Sequence, residues 1–426
     1  MTYKDMLGRS GVLTVEEAKK ALDAALEAVP RPAEVVGITD ALGRVLAASV
    51  VSSEPLPDFA RSSMDGYAVR AADTYGATDA IPAYLRLTGE VAMGEFPAVS
   101  VARGEAVRIS TGGMLPEGAD AVVMLEHTQA LGEVEVEVEV VRPAAPGENV
   151  VARGDDVGEG EQLLARGRRL RPQDIGALAG IGVTEIYVYT RPTVGIINTG
   201  NEIVEATVKS PKPGQVRDVN SYNLAGLVIQ AGAVPVRKGI FRDEYASIRA
   251  AVEEAIKTCD IVAITGGSSV GTGDLTARVI NETGCPGVVV HGVSVRPGKP
   301  VIIGVVDGKP VFGLPGHPVA VTVSFELFIK PVLKKLSGEV DELGLWGVPD
   351  KRVVRAKMAR NYSSAQGRED HLRVSLEKRE DGLWARPVLG KSGLISTLVK
   401  AHGTVVIPLA KTGLSRGEEV NVTLFD

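Results

Sequence analysis

The chain has 426 residues, of which 44% are hydrophobic and 23% are charged, as in ordinary globular proteins. This length exceeds what a single hydrophobic core serves, so we expect three or four domains. The formal net charge of -6 gives no general polyanion-binding surface and argues against nucleic acid as a partner.

Two further features indicate where the protein works. Its two cysteines, Cys259 and Cys285, have neither metal-ligand spacing nor the density of a disulfide scaffold, which favours a reducing cytoplasm. The first ten residues lack an apolar segment, and no run of about eighteen apolar residues occurs, so we expect neither export nor a membrane span.

The first part of the chain is predicted to be a helix followed by a β-rich module. Thr14-Val15-Glu16-Glu17 has the pattern of a capping box, which opens a helix reaching to about residue 27. From about 50 to 150, apolar residues recur with a period of two between Gly and Pro breaks, which predicts strands. The clearest predicted strand is 132–140, where valines alternate with glutamates.

A connecting helix and an α/β segment come next. Arg171-Pro172-Gln173-Asp174 predicts a short helix that ends near Gly180. Strands and helices then alternate, with segments predicted at 194–198, 220–230, 244–258, 261–265 and 274–282. This succession predicts a largely parallel sheet with flanking helices, in which ligands bind beyond the carboxyl ends of the strands. After Pro331, strand-like runs at 352–357, 404–408 and 419–425 predict a small C-terminal β domain.

A glycine-rich loop follows one of these strands, at Thr265-Gly266-Gly267-Ser268-Ser269-Val270-Gly271. Glycines let backbone N–H groups approach an anion, and the two serines add hydroxyl donors, which favours phosphate or phosphoester binding. A tight strand-to-helix turn is the alternative. The loop lacks the Gly-Lys-Ser/Thr of a P-loop and the Gly-x-Gly-x-x-Gly of a dinucleotide site, so ordinary NTPase and dehydrogenase functions are disfavoured.

Two proline-containing loops also follow strands. Val295-Arg296-Pro297-Gly298-Lys299-Pro300 presents a lysine on a rigid turn, which suits a small oxoanion, although a plain β-turn would have the same residues. Gly313-Leu314-Pro315-Gly316-His317-Pro318 offers backbone amides at the start of a helix. His317 either contacts a ligand or caps that helix.

Acidic residues at loop positions are candidates to hold Mg²⁺ through oxygen ligands or to orient water. Each of them alone has a turn or helix cap as its simpler explanation. They are Asp65, Asp156, Glu202, Asp243 and Asp274.

Taken together, the motifs resemble the molybdopterin molybdenumtransferase family, whose animal relatives form the E domain of gephyrin. The most distinctive match runs from Phe59 to Val69 and contains Ser62-Ser63-Met64-Asp65-Gly66-Tyr67-Ala68; Arg108-Ile109-Ser110-Thr111-Gly112 follows at family spacing. The other matches are 147–150 with 154–157, 199–202, 215–220, the Gly266-Gly267 loop, 297–300 and 314–318. The resemblance covers almost the entire chain.

The resemblance implies a multidomain α/β plus β fold: a three-layer molybdopterin-binding α/β domain, an inserted β-rich module, a connector domain and a C-terminal barrel-like β domain. We place an N-terminal helix that packs on the α/β domain at 1–30, the connector at 31–50 and 150–190, the inserted module at 51–149, the α/β domain at 191–337 and the C-terminal domain at 338–426.

By this resemblance, the chain inserts molybdate into adenylylated molybdopterin and releases AMP by Mg²⁺-dependent hydrolysis. The implied catalytic residues are Asp65, Thr111, Asp156, Glu202, Asp243 and Asp274, and Mg²⁺ is held by Glu202, Asp243 and Asp274. The implied substrate-binding residues are Thr199, Gly200, Gly266, Gly267, Ser268, Ser269, Gly271, Pro315, Gly316 and His317. The implied oxoanion-binding residues are Pro297, Lys299, Pro300, Arg373 and Ser392.

Two departures from the family pattern are His317, where Asn is usual, and Ala320, where a Ser is common. The sequence therefore leaves open whether the oxoanion substrate is molybdate or tungstate. The family also implies a homodimer, with transient contacts to the molybdopterin adenylyltransferase and to acceptor apoenzymes. Two other functions remain as alternatives: a molybdopterin adenylyltransferase, disfavoured by the extra β domains, and a non-catalytic pterin-binding scaffold, disfavoured by the lack of a fused domain.

Overall fold

The computed structural model describes residues 3–4, 10–26, 31–131, 136–266, 272–340 and 353–425. The chain divides into two compact units. One comprises Val35–Leu42 and Ala48–Tyr187; the other comprises Met1–Glu34, Gly43–Ala47 and Val188–Asp426. The chain passes from one unit to the other four times: within the strands Ala33–Gly37 and Glu185–Tyr189, after Leu42 and after Ala47. None of the helices in the described ranges is long and apolar enough to cross a membrane.

The unit built from Val35–Leu42 and Ala48–Tyr187 contains a six-stranded sheet, as the period-two pattern predicts. All neighbouring strands are antiparallel except Ala83–Val91 and Glu105–Ile109, which are parallel. The order across the sheet is Thr128–Leu131, Glu137–Val140, Ala83–Val91, Glu105–Ile109, Gly66–Val69 and Ala121–Met124. Of the predicted valine–glutamate strand at 132–140, the structure has Glu137–Val140, in which Val138 and Val140 are buried and Glu137 is exposed. Val136 precedes this strand and is exposed, contrary to the predicted alternation, and residues 132–135 lie outside the described residues.

Shorter elements complete this unit. Val50–Val51 pairs with Gln162–Leu164, and Arg61–Ser62 pairs with Val150–Val151. The predicted helix after Arg171 spans Pro172–Gly180, so its expected end is confirmed. Short 3-10 turns occur at Ile38–Asp40, Ala71–Thr74 and Leu125–His127.

The other unit contains the predicted α/β sheet. Four strands are parallel, and Ile302–Val306 and Pro286–His291 add an antiparallel edge. The order across the sheet is Val234–Phe241, Thr193–Thr199, Ile261–Gly266, Lys309–Leu314, Ile302–Val306 and Pro286–His291. These strands are apolar along most of their length because both faces of the sheet are covered.

Helices cover the two faces of this sheet and form two separate hydrophobic cores. Val15–Ala25, Asn220–Gln230 and the helical segment that starts at Pro318 contribute to one core. Tyr245–Thr258 and Thr272–Thr283 contribute to the other. The predicted three-layer α/β arrangement is therefore confirmed. The capping box is confirmed too, since the Thr14 hydroxyl accepts from the Glu17 amide and the Glu17 carboxylate accepts from the Thr14 amide.

The helical segment after His317 has a feature that the sequence did not predict. It consists of α-helix Pro318–Ser324, a π-helical turn Phe325–Ile329 and α-helix Lys330–Leu336. Phe325, Phe328 and Ile329 are buried in the core against the sheet, so the wider turn keeps large side chains on the packed face.

The C-terminal part of this unit forms a closed five-stranded barrel around its own core, in agreement with the predicted barrel-like domain. Closure follows because Glu369–Arg379 pairs both with Gly382–Pro387 and with Gly403–Ile407. The strands around the barrel are Glu369–Arg379, Gly382–Pro387, Val353–Met358, Glu419–Leu424 and Gly403–Ile407.

Several short elements flank the sheet and the barrel. Val295–Arg296 runs parallel to the start of barrel strand Glu369–Arg379, so the segment before Pro297 is attached to the barrel. The remaining elements are Tyr3–Lys4 with Ser10–Val12, Ile203–Val204 with Val216–Arg217, Tyr362–Ser363 with Gly413–Leu414, and the helix Ser396–Val399.

Candidate functional site

The carboxyl ends of two central parallel strands meet at Thr199 and Gly266, which are paired across the sheet. Gly266 has φ +106°, and a Cβ there would lie 1.9 Å from the Thr199 carbonyl oxygen. Only glycine fits this position, because a larger residue would collide with rigid backbone. The predicted substrate-binding residues Thr199 and Gly266 therefore lie side by side.

Two of the predicted catalytic carboxylates lie close to this edge. Glu202 folds back over Gly200, where a Cβ would lie 3.0 Å from Glu202 Oε2. Asp243 follows the neighbouring strand, and its Oδ1 atom is buried without a hydrogen-bond partner among the described residues. Burial raises the pKa of Asp243, and the negative charge of Glu202 raises it further. The two carboxylates are therefore close enough to repel each other electrostatically.

The third predicted metal ligand, Asp274, belongs to the helix Thr272–Thr283, but its side chain lies outside the described part of the structure. Gly267, Ser268, Ser269 and Gly271 also lie outside the described residues. Within the described residues, no group of three His, Cys, Asp or Glu side chains is arranged to hold a metal. The predicted set of three ligands therefore stays a prediction.

A large cleft of about 760 Å³ lies between the Pro297–Pro300 loop and the barrel. All five predicted oxoanion-binding residues line it, although Arg373 and Ser392 come from the barrel segment, far along the chain. They are Pro297, Lys299, Pro300, Arg373 and Ser392. Two predicted substrate-binding residues, Pro315 and His317, line the same cleft.

The cleft is strongly cationic. Among the described residues, five Lys and Arg side chains line it, at positions 296, 299, 368, 373 and 391, against a single carboxylate, Asp370. That carboxylate is itself engaged, because its Oδ2 atom accepts from Arg296 at 3.2 Å and from the Ser364 hydroxyl at 3.0 Å. The balance of charge therefore favours an anionic ligand.

Arg373 is the most deeply buried of these cations, with only 8% of its surface exposed. One terminal nitrogen donates to the Gly390 carbonyl at 3.1 Å, and Nε is buried without a partner among the described residues. Burial removes water from around the guanidinium, which disfavours its charged form and lowers its pKa. An anion beside Arg373 would supply both the missing acceptor and the missing charge.

His317 and Ser392 form a polar pair in this cleft, with 2.8 Å between His317 Nδ1 and Ser392 Oγ. His317 occupies the N-cap position of the helix Pro318–Ser324, but its side chain makes no capping hydrogen bond. The helix-cap interpretation of this imidazole is therefore wrong. Ala320 also lines the cleft and presents only a methyl group there.

In the other unit, two predicted catalytic residues are in contact. The Thr111 amide donates to Asp65 Oδ1 at 2.8 Å, and both residues are exposed. Asp156 is also exposed, and its amide donates to the Leu56 carbonyl at 3.0 Å. The Asp65 carboxylate is thus held in place by backbone and remains accessible.

Sequence reasoning missed several residues of the cleft. Arg296 directly precedes the Pro297–Pro300 loop, so its charge and position were a usable signal. Tyr362, Arg368 and His371 also line the cleft, but no local sequence pattern marks them as binding residues.

Comparison with known proteins agrees with the fold. Three family models match successive parts of the chain: the MoeA N-terminal region (domain I and II) at residues 13–182, a probable molybdopterin binding domain at 195–335, and the MoeA C-terminal region (domain IV) at 355–425. These matches include every predicted site residue.

Individual relatives match over nearly the whole chain. A putative molybdopterin biosynthesis protein of Methanocaldococcus jannaschii is 36% identical over 92% of both chains. The molybdopterin molybdenumtransferase of Bacillus subtilis is 34% identical over 92% of this chain and 90% of its own. A crystal structure of the MoeA molybdopterin biosynthesis protein of Pyrococcus horikoshii is 37% identical, covers 98% of this chain and 100% of its own, and superposes with a TM-score of 0.78. This chain therefore belongs to the molybdopterin molybdenumtransferase (MoeA) family.

Proposed function

We propose that the protein inserts molybdate into adenylylated molybdopterin and releases AMP. The observation that carries this proposal is the cationic cleft, in which the buried Arg373 guanidinium lacks an acceptor for Nε. A tetrahedral dianion matches this chemistry, because a guanidinium, an ammonium and a hydroxyl can donate to its oxygens together. Arg373, Lys299 and Ser392 have these donor groups and line one cleft.

The rigid Pro297–Pro300 loop supports the same proposal. Pro297 and Pro300 restrict the backbone on both sides of Lys299, which reduces the conformational entropy lost when its side chain binds an anion. The loop is also attached to the barrel through the pairing of Val295–Arg296 with Glu369–Arg379. The cations of the loop and those of the barrel are thus held in one arrangement before the ligand arrives.

The substrate nucleotide is assigned to the strand edge at Thr199 and Gly266. Backbone N–H groups beside glycines suit phosphate oxygens. Pro315 and His317 line the oxoanion cleft, and we propose that they and Gly316 also contact the substrate. We propose that Glu202 and Asp243 act at the phosphoanhydride bond. Catalytic roles for Asp65, Thr111 and Asp156 are proposed on the family motif alone.

We propose that Mg²⁺ binds at this edge. Carboxylate oxygens are its preferred protein ligands, and Asp243 Oδ1 is buried without a partner among the described residues. Glu202 and Asp243, with Asp274, would hold the ion, which would neutralise charge that develops on the phosphate oxygens. A cation bound beside Asp243 would offset the burial and the negative charge of Glu202, which together raise the pKa of this carboxyl group.

AMP release from adenylylated molybdopterin, with and without molybdate, tests the proposal. We expect release to require molybdate and to fall by about tenfold or more in Arg373→Met, because a charge-assisted hydrogen bond contributes about 1.5–3 kcal/mol. Arg379→Met is the matched control, since Arg379 lies on the same strand but pairs with Glu377 away from the cleft. AMP release independent of molybdate, or equal effects of the two variants, would contradict the proposal.

Four further properties are proposed from the family resemblance. Tungstate serves as an alternative oxoanion, since it differs little from molybdate in size and charge, and competition in the same assay tests this. The protein forms a homodimer, which light scattering measures directly. It works in the cytoplasm and meets the molybdopterin adenylyltransferase and acceptor apoenzymes only transiently, which crosslinking in cells would detect.

A further inference from the structure

The motif at residues 215–220 ends in Asn220, a residue to which the proposed chemistry assigns no role. Asn220 is the first residue of the helix Asn220–Gln230 and is only 7% exposed. Its Nδ2 atom donates to Thr265 Oγ1 and to the Gly316 carbonyl oxygen, both at 2.9 Å. One amide thus connects two segments that lie 45 and 96 residues away from it along the chain.

Each of the two partners belongs to a different part of the proposed site. Thr265 is fully buried and directly precedes Gly266 at the strand edge. Gly316 lies between Pro315 and His317, which both line the oxoanion cleft. The Asn220 amide therefore connects the nucleotide end of the proposed site to the rim of the oxoanion cleft.

Asp218 fixes the position of Asn220. Its Oδ1 atom accepts from the Ser221 amide at 2.9 Å, which anchors the start of the helix, and from Asn198 Nδ2 at 2.7 Å. Asn198 is the residue before Thr199, so the same network reaches the other strand of the edge. All of these side chains are buried, where hydrogen bonds are shielded from competing water.

We infer that Asn220 is a positioning residue that fixes the separation between the Thr199–Gly266 edge and the Gly316–His317 rim of the cleft. This inference rests on the proposed function. Pterin nucleotide bound at the edge and oxoanion bound in the cleft must meet in one geometry, and small errors in such a geometry are costly to rate. Neither ligand needs to touch Asn220 for this effect.

Two isosteric variants remove the connection without removing volume. Asn220→Asp in its ionised form cannot donate to the Gly316 carbonyl, and Thr265→Val lacks the hydroxyl that accepts from Asn220. Thr265→Ser keeps that hydroxyl and should retain wild-type function. Asn223→Ala is the matched control, because Asn223 Nδ2 also donates at 2.9 Å from the same helix, but to Thr322 Oγ1.

Kinetic measurements distinguish a positioning role of Asn220 from a general loss of structure in the variants. We expect Asn220→Asp and Thr265→Val to lower kcat for molybdate-dependent AMP release by about ten- to a hundredfold, with the Kd of molybdate for the free protein nearly unchanged. Thr265→Ser and Asn223→Ala should stay close to wild type in both measurements. A parallel loss of kcat and molybdate affinity, or wild-type kcat in both isosteric variants, would overturn the inference.

A second measurement does not depend on activity. Hydrogen–deuterium exchange of the free protein should speed up by about fivefold or more in the peptides that contain Gly266 and Gly316 when Asn220 is replaced by Asp, because about one hydrogen bond of stabilisation is lost at each. Asn223→Ala should leave both peptides unchanged. If wild type releases no AMP, the proposed function fails, and unchanged exchange in Asn220→Asp would separately refute the positioning role.

Discussion

The helix Pro172–Gly180 offers a quantitative test of how local electrostatics stabilise this fold. Asp174 is 3% exposed, and its carboxylate accepts hydrogen bonds from the Arg171 amide and from the guanidinium groups of Arg171 and Arg168. Burial alone would raise the pKa of Asp174, but these hydrogen bonds outweigh it and lower the pKa from 3.8 to about 2.

The lowered pKa of Asp174 means that its ionised carboxylate stabilises the folded state. The gap between 3.8 and about 2 corresponds to about 2 kcal/mol, since one pKa unit is worth about 1.4 kcal/mol. Because the folded state holds the charged form more strongly than the unfolded state does, the contribution is complete above about pH 5 and is lost as the pH falls toward about 2.

We therefore expect Asp174→Asn to reduce hydrogen-exchange protection of the helix Pro172–Gly180 by about thirtyfold at pH 7, the equivalent of about 2 kcal/mol. At pH 3, the difference between variant and wild type should shrink by about half. Asp155→Asn is the matched control, since exposed Asp155 also accepts from a backbone amide three residues earlier, that of Ala152. A difference independent of pH, or an equal effect of Asp155→Asn, would refute this reasoning.

Two more predictions concern the proposed site. Gly266→Ala would place a Cβ 1.9 Å from the Thr199 carbonyl oxygen, so we expect AMP release to fall by more than about tenfold. Gly226→Ala is the control, because Gly226 lies in a helix with open space around it; this variant should be neutral or should stabilise the protein by up to about 1 kcal/mol in thermal unfolding. Ser392→Ala removes the hydroxyl that contacts His317, so we expect the KM for molybdate to rise by about three- to tenfold with a smaller change in kcat; an unchanged KM would remove Ser392 from the oxoanion site.

Periodic patterns and local caps predicted the α-helices up to Thr283 and several of the strands, but not the sheet strand Val234–Phe241. The helix Asn220–Gln230 and the end of the helix at Gly180 agree with the sequence prediction residue for residue. These elements are predictable because their signals, such as the reciprocal bonds of Thr14 and Glu17, lie within a few residues of each other. The π-helical turn Phe325–Ile329 has no such local signal and follows from packing against the sheet.

The candidate site was predictable only in part. The loop from Pro297 to Pro300 is marked by its own residues, whereas family resemblance alone assigned Arg373 and Ser392 to the same ligand. His371 was missed, because a strand of the closed barrel carries no local sign of which residues face a cleft, and Arg368, which directly precedes this strand, has no distinguishing pattern either. The contact from Asn220 to Gly316 spans 96 residues and depends on the assembled sheet, so local patterns could not reveal it.

A single-turnover experiment tests the central claim most directly. Protein, adenylylated molybdopterin and Mg²⁺ are mixed with molybdate, or with sulfate as a tetrahedral dianion that cannot accept dithiolene sulfurs, and both AMP and metal-loaded pterin are quantified over time. We expect equal amounts of AMP and metal-loaded pterin with molybdate and neither product with sulfate. AMP formed without metal-loaded pterin, or substrate that persists unchanged with molybdate, would contradict it.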